Sequence, residues 1–303
     1  MRLILLIKIH KVMEMSQILY NVYIGITIFS IIVFIYILII LFHVFRPPKN
    51  NPKQHLKKKK QFEDKGKKVV IFIGDSLTHG TIGESYTKIV SDRLKSEKFE
   101  YINAGINGEL TFNVLKRMDD IIQCKPDFAT LLIGTNDANG SISLENAKIY
   151  ERRKDFPTEP DFWKEKRFKE DLNSIVKRLK QETSARIAIL SIPPLGEKST
   201  SLPFKRSILY STIIKDLAKQ YDITYLPLNE KMVAFIKGNP AHSSLTLENL
   251  VKNMIKVIFA HYFGRSWNKI SKKNGLMLLI DNVHLNSIGA TMVADLIEKF
   301  LEN

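Results

Sequence analysis

KVVIFIGDSL, residues 68–77, decides the fold. Positions 69–73 are five consecutive apolar residues, four of them β-branched, closed by Gly74. A short run of that kind ending in a turn residue predicts a strand buried on both faces. Asp75-Ser76-Leu77 then turns the chain toward a helix, because Tyr86, Ile89, Val90 and Leu94 recur at helical spacing.

The same alternation continues downstream. Strands are predicted over 99–104, 128–133, 186–191 and 223–226. Between them a helix is predicted over 110–122, and another from the stripe Phe168, Leu172, Ile175, Val176 and Leu179. Helices over 208–221 and along Ile288, Met292, Val293, Leu296, Ile297 and Phe300 complete the pattern. Strands alternating with helices imply an α/β domain with a parallel sheet covered on both faces. Two stretches exceed ordinary loop length, 138–163 and 229–279, and read as insertions. The second contains an apolar-rich helix around 247–263, with Tyr262, Phe263 and Trp267 adding aromatic surface. It reads either as extra core cover or as a lid or membrane-facing acyl pocket.

Upstream of residue 68 the chain changes character. Residues 16–45 contain no Asp, Glu, Lys or Arg, and the apolar core at 22–42 is long enough to span a bilayer, which takes about 20 residues. Phe45-Arg46-Pro47-Pro48 offers no small-residue cleavage site, so the segment reads as an uncleaved anchor. A buried core helix fits less well, since bulky apolar residues occupy every face. The expected organisation is an N-terminal segment at 1–17, a transmembrane anchor at 18–45, a basic juxtamembrane linker at 46–67 and the α/β domain at 68–303.

The 303-residue chain carries a net charge of +15. Residues 46–68 hold ten Lys or Arg and two acidic residues, so one short segment supplies +8 of it. Charge so localised argues against a nucleic-acid-binding face. It suits a solvated spacer, or a patch held by anionic headgroups around the Lys57–Lys60 run. Arg2, Lys8 and Lys11 precede the span, while Arg46, Lys49, Lys53 and the Lys run follow it. The positive-inside rule then places the C-terminal domain in the cytoplasm, and more firmly so if Met13 or Met15 is the true start. Cys124 is the only cysteine, which excludes an intrachain disulfide and a Cys-x-x-Cys zinc site. In an apolar-patterned helix it reads as a small buried hydrophobe.

Ligands of open α/β sheets bind outside the carboxyl ends of the strands, and four polar groups fall there. Gly74-Asp75-Ser76-Leu77 follows the first strand. A serine on a tight strand-to-helix turn presents its hydroxyl beside free backbone N–H groups, and Asp75 can accept hydrogen bonds that shape the turn. Asn103-Ala104-Gly105-Ile106-Asn107-Gly108 follows the second strand, with Gly108 free to turn an N–H toward a ligand. Gly134-Thr135-Asn136-Asp137 follows the third, and the Asn136 amide can donate to an oxyanion. Asp281-Asn282-Val283-His284 precedes the last helix, close enough in sequence for a histidine base and its orienting carboxylate. The positive end of that helix is expected to disfavour imidazolium and keep His284 neutral. His79, three residues after Ser76, is placed to line the pocket but lacks an evident orienting carboxylate, and His242 and His261 lie in the second insertion, so all three are weaker candidates for the base. Each group alone is also an ordinary turn.

Taken in order, the four groups resemble the GDSL/SGNH hydrolase family. Ser76 stands at the serine of its Gly-Asp-Ser block, and Gly108 at the glycine of Asn-x-x-x-x-Gly. Asn136 stands at the asparagine of Gly-x-Asn-Asp, and Asp281 and His284 at Asp-x-x-His. The resemblance covers about 68–303. It implies a flavodoxin-like α/β/α sandwich with five parallel strands in the order 2-1-3-4-5. It also implies an oxyanion hole from the Ser76 N–H, the Gly108 N–H and the Asn136 side chain, with Gly74, Asp75, Gly134 and Asp137 supporting the turns. No cofactor or metal is expected. The implied chemistry is acyl-ester hydrolysis through an acyl-enzyme; the anchor and the apolar insertion favour a lipase- or lysophospholipase-like enzyme acting on a lipid ester, with an O-acetyl ester of cell-envelope carbohydrate as the competitor. Anchored enzymes of this kind often face the envelope, against the charge bias. A membrane-tethered binding protein on a disused hydrolase fold is the alternative of another class.

Overall fold

The computed structural model describes residues 2–59, 66–94, 98–151, 156, 162–163 and 165–303. The chain divides into two units, Met1–Arg46 and Pro47–Asn303. The first is one helix, α1 (Arg2–Phe45). At about 1.5 Å per residue its 44 residues extend about 66 Å, against an apolar bilayer core of about 30 Å. Residues 2–17, expected as a separate segment, continue the same helix. Ile4–Phe45 is long and apolar enough to cross a membrane.

The second unit opens with α2 (Pro52–Lys59), a helix inside the segment read as linker. It packs on the edge of the sheet and on a following helix. His55 and Pro52 turn inward while Lys53, Lys57 and Lys58 stay in solvent. The Lys-rich composition describes only the outer face, so the reading of a spacer is corrected for this part. Lys60 lies outside the described residues.

The sheet then forms from β1 (Lys68–Gly74), β2 (Phe99–Gly105), β3 (Phe128–Leu132), β4 (Arg186–Leu190) and β5 (Thr224–Leu226). All pairings are parallel and the order is β2-β1-β3-β4-β5. The helices are α3 (Ser76–His79), α4 (Tyr86–Arg93), α5 (Thr111–Lys116), α6 (Met118–Gln123), α7 (Thr135–Gly140) and α8 (Leu144–Glu151). They continue with α9 (Glu165–Glu182), α10 (Leu202–Tyr221), α11 (Leu228–Gly238), α12 (Leu250–Tyr262), α13 (Trp267–Lys273) and α14 (Ser287–Glu302).

Period-two alternation along β1 divides its side chains between two cores. Val69, Ile71 and Ile73 join Val114 and Met118, the α9 stripe, and Tyr210 and Ile214 of α10. Val70 and Phe72 join Tyr86 and Val90 of α4, Met232 of α11, and Val293 and Ile297 of α14. Burial on both faces is why these strands read as unbroken apolar runs.

The helix expected over 110–122 is two helices broken at Arg117, which leaves helical geometry at φ −113° and ψ 18°. Its guanidinium turns inward, pairs with Glu109 at 2.7 Å, and donates to the carbonyls of Ala104 (2.7 Å) and Gly74 (3.3 Å). That tertiary demand outweighs the local helical pattern. Cys124 is fully buried, with Sγ 3.2 Å from the Asp120 carbonyl.

Candidate active site

Strand β1 ends where Gly74 pairs with Gly105 of β2 and Leu132 of β3. A Cβ on Gly74 would stand 2.1 Å from Thr78 Oγ1 and 2.4 Å from the Leu132 carbonyl, so only glycine fits. Asp75 then caps α3, with Oδ1 accepting from the Leu77 N–H at 2.9 Å. Ser76 is therefore the first residue of a one-turn helix at the carboxyl end of β1, one strand in from the edge of the sheet.

The loop after β2 approaches the same point. Asn103 Oδ1 accepts from the Gly105 N–H at 2.9 Å, and its Nδ2 donates to the Thr78 carbonyl at 2.8 Å. The Ile106 N–H donates to the Gly74 carbonyl at 3.3 Å. Gly108 sits at φ +69°, the left-handed region that side chains resist, in the turn from Ile106 to Glu109.

Asn136 enters from the end of β3, just after Gly134 at the head of α7. Its Nδ2 donates to the Glu109 carbonyl at 2.8 Å, which joins the second and third polar groups. An amide nitrogen carries two protons, so one remains to donate elsewhere. The Asn136 Oδ1 accepts from the Tyr150 hydroxyl at 3.1 Å. Tyr150 in turn accepts from Asn139 Nδ2 at 2.9 Å, and Asn139 Oδ1 accepts from Asn146 Nδ2 at 3.0 Å. This buried chain fixes which way the Asn136 amide points. Asp137 turns away and accepts from the Thr111 N–H and hydroxyl.

The fourth group closes the site. Asp281 is fully buried and its Oδ1 accepts from the N–H groups of His284 (2.8 Å) and Val283 (3.1 Å). Its Oδ2 lies 2.8 Å from His284 Nδ1, and His284 Nε2 lies 3.0 Å from Ser76 Oγ. A carboxylate only accepts, so in the neutral imidazole the proton belongs on Nδ1 and Nε2 is left to accept from the serine hydroxyl. The loop is held from behind. The Ile280 N–H donates to the His284 carbonyl and the Gly196 N–H to the Asn282 carbonyl, each at 2.8 Å. Buried Glu197 accepts from the N–H groups of Met277, Leu278 and Leu279.

Burial favours a neutral imidazole at His284, but the charge and hydrogen bond of Asp281, backed by the charge of Asp75, outweigh it and raise the pKa. The expectation that the helix end keeps His284 neutral is corrected: α14 is capped by Asn286, which accepts from Ile288 and Gly289, and the adjacent carboxylate dominates. Asp281 is correspondingly lowered; the imidazole's charge and hydrogen bond overcome its burial. Burial raises Asp75 to about 7, opposed by the Leu77 N–H. Its Oδ2 has no hydrogen-bond partner among the described residues. Burial likewise raises Asp137 to about 7, against the hydrogen bonds from Thr111.

The structure thus brings Ser76, His284 and Asp281 into one line, and joins the Gly108 turn to Asn136. The weaker histidines go elsewhere. His79 Nδ1 lies 2.9 Å from Thr81 Oγ1, and His261 stacks on Trp267 at 3.8 Å. His242 lines a cavity of about 1000 Å³. Ile142 and Asn146 from one insertion and Leu245 and Leu247 from the other wall this cavity, with Leu195 and Asn282. Ser76 does not line it, whereas Asn282, two residues before His284, does. Among the described residues no group of three His, Cys, Asp or Glu is arranged to hold a metal ion. Tyr150, Asn139, Asn146, Glu109 and Arg117 escape a reading by motif, because only contacts distant in sequence give them a role.

A parallel α/β sheet with a serine, a histidine and an aspartate in line beyond the carboxyl end of its first strand is the frame of a serine ester hydrolase. Residues 72–245 match the GDSL-like lipase/acylhydrolase family, and the chain belongs to it. It is a hydrolase of carboxylic esters. No curated relative matches the chain. Among solved structures it is similar to the acetyl xylan esterase AlAXEase, with a TM-score of 0.54 and 22% identity over 77% of this chain and 99% of that one. It is also similar to Axe2, an acetylxylan esterase from Geobacillus stearothermophilus, with a TM-score of 0.51 and 16% identity over 78% and 95%. Catalytic mutants of Axe2 at an aspartate, a serine and a histidine match at TM-scores of 0.54, 0.52 and 0.51. At these identities the likeness shows the shared fold.

Proposed function

We propose that Ser76, His284 and Asp281 form the catalytic triad and that the enzyme cleaves acyl esters through an acyl-enzyme. The observation that carries this is the unbroken line from Ser76 Oγ to His284 at 3.0 Å and on to Asp281 at 2.8 Å. His284 takes the hydroxyl proton as Ser76 attacks the ester carbonyl. The Ser76 N–H, the Gly108 N–H and the Asn136 amide stabilise the tetrahedral oxyanion. His284 then protonates the leaving alcohol, and water, deprotonated by the same imidazole, clears the acyl group. The catalytic serine, histidine and aspartate of Axe2 support the assignment by analogy.

The substrate we favour is a lipid ester. The cavity beside the His284 loop carries Ile142, Leu195, Leu202, Leu245 and Leu247 on its wall among polar and charged side chains, and none of its described lining residues is Phe, Tyr or Trp. At about 1000 Å³ it falls at the upper end of ligand pockets, roughly 300–1,000 Å³, far beyond what an acetyl group fills. The long apolar helix acts in this reading as a single-pass anchor that keeps the catalytic domain at the lipid. A carbohydrate O-acetyl ester is the second reading, favoured by the acetylxylan esterases among the similar structures. Hydrolysis of esters from acetyl to palmitoyl decides between them. Rising kcat/KM toward long chains supports the lipid reading, and a maximum at acetyl supports the carbohydrate one. Ser76→Ala removes nearly all turnover in either case; unchanged turnover overturns the triad.

A further inference from the structure

The outward face of α12 is built unlike that of an ordinary surface helix. Its inner side is already spent on the domain, with Leu250, Asn253, Val257 and Ile258 buried. The opposite side of such a helix is normally polar. Here Val251, Ile255, Phe259 and Phe263 recur every fourth residue and form a second apolar stripe. Val251 is 42% exposed, Ile255 47% and Phe263 71%. Phe259 and Phe263 stack at 6.5 Å, so the aromatic end of the stripe is one continuous surface.

Cations predominate along that stripe, and the nearest acid in sequence is the exposed Glu248 just before α12. Lys252 and Lys256 lie beside it on α12, and Arg265, Lys269, Lys272 and Lys273 follow on the turn and on α13, all exposed. From Asn249 to Ile280 the chain contains no Asp or Glu. Apolar residues bordered by lysine and arginine form the pattern of a helix lying in the headgroup region of an anionic bilayer. A second copy of the chain is a poor occupant, because an isologous contact would set six cations against the same six.

We propose that the α12–α13 face docks on an anionic phospholipid surface, with Ile255 and Phe263 entering the acyl boundary and the six cations meeting the headgroups. This contact is separate from any anchoring by α1 and independent of the catalytic assignment. It would lay the insertion that walls the cavity against the lipid.

The test uses the full chain reconstituted in vesicles, with Cys124→Ala as background. A fluorophore is placed at Phe263→Cys or, as a control on α10, at Leu209→Cys. Leu209 is 42% exposed, and α10 packs on α7, α9 and α11. Far-ultraviolet circular dichroism and the melting temperature show that each labelled chain is folded. In vesicles of phosphatidylcholine and phosphatidylglycerol, nitroxide-bearing lipids quench the label at 263 several-fold more than the label at 209. Lys252→Glu with Lys256→Glu and Lys269→Glu lowers the quenching at 263 to the control level. So does pure phosphatidylcholine. Equal quenching at the two positions would mean proximity through α1 alone and would overturn the proposal. Protection at 263 that follows protein concentration rather than lipid charge would replace the bilayer with a second copy and overturn it equally.

Discussion

Burial and a neighbouring carboxylate act in opposite directions on His284, and the carboxylate prevails. The free enzyme's base works in its neutral form, so a raised pKa moves the rising limb of activity to higher pH. The kcat/KM profile is expected to inflect above 6.5, the ordinary histidine value. Asp281→Asn removes the charge and leaves the burial, so the inflection drops while kcat falls by about 10⁴. An inflection that ignores Asp281 would contradict the coupling. Tyr150 acts one step further out, through Asn136. Tyr150→Phe removes the hydroxyl that donates to the Asn136 Oδ1 and lowers kcat roughly two- to tenfold, the worth of one hydrogen bond. Steady-state kinetics separates this from a loss of substrate binding: KM stays constant if Tyr150 positions, whereas a rise in KM at constant kcat refutes it. Ser76 and its motif partners were legible because tight turns and local pairs use few residue types at fixed spacing. Tyr150 was not, since a tyrosine in a polar insertion carries no mark of what its hydroxyl touches.

Among the elements, α2 changes where the catalytic unit begins. Edge strand β2 presents unpaired backbone groups that favour unwanted pairing. The segment leading into α2 covers some of them: the Asn103 N–H donates to the Asn50 carbonyl at 3.1 Å, and Asn50 Nδ2 donates to the Tyr101 carbonyl at 2.9 Å. Asn103 also holds the turn beside α3, so this cover reaches the site through one residue. A chain beginning at Pro47 is therefore expected to unfold at higher urea than one beginning at Lys67, and to aggregate less. Equal midpoints in denaturation monitored by circular dichroism would show α2 to be dispensable. The strands were readable from continuous apolar runs, which a doubly covered sheet requires. The helix break at Arg117 and the docking of α2 were not, because the first answers a buried Glu109 and the second hides one inward face behind lysines.

Over the whole molecule, buried carboxyl groups give stability an unusual slope. Asp75 and Asp137 hold protons in the folded state up to about 7, whereas an ordinary aspartate releases them near 3.8. Between those values the folded chain binds more protons than the unfolded one, so stability falls as pH rises. His284, also raised, contributes in the same direction: its share is full below 6.5 and is lost as pH passes its folded value. Asp281, lowered, adds stability above 3.8 that disappears at more acid pH. The melting temperature is expected to peak near pH 4 and to decline toward pH 8, by an amount on the order of several kcal/mol in stability. Asp75→Asn flattens the decline; a melting temperature that climbs from pH 5 to pH 8 would contradict the assignment.

The catalytic reading depends on Ser76 being the nucleophile. A fluorophosphonate probe reacts with a serine only when a base activates it, so peptide mapping after labelling reads that property directly. The account predicts a single adduct on the peptide containing Gly74-Asp75-Ser76, lost in Ser76→Ala and strongly slowed in His284→Ala. An adduct on another residue, or none on folded wild-type chain, would contradict it.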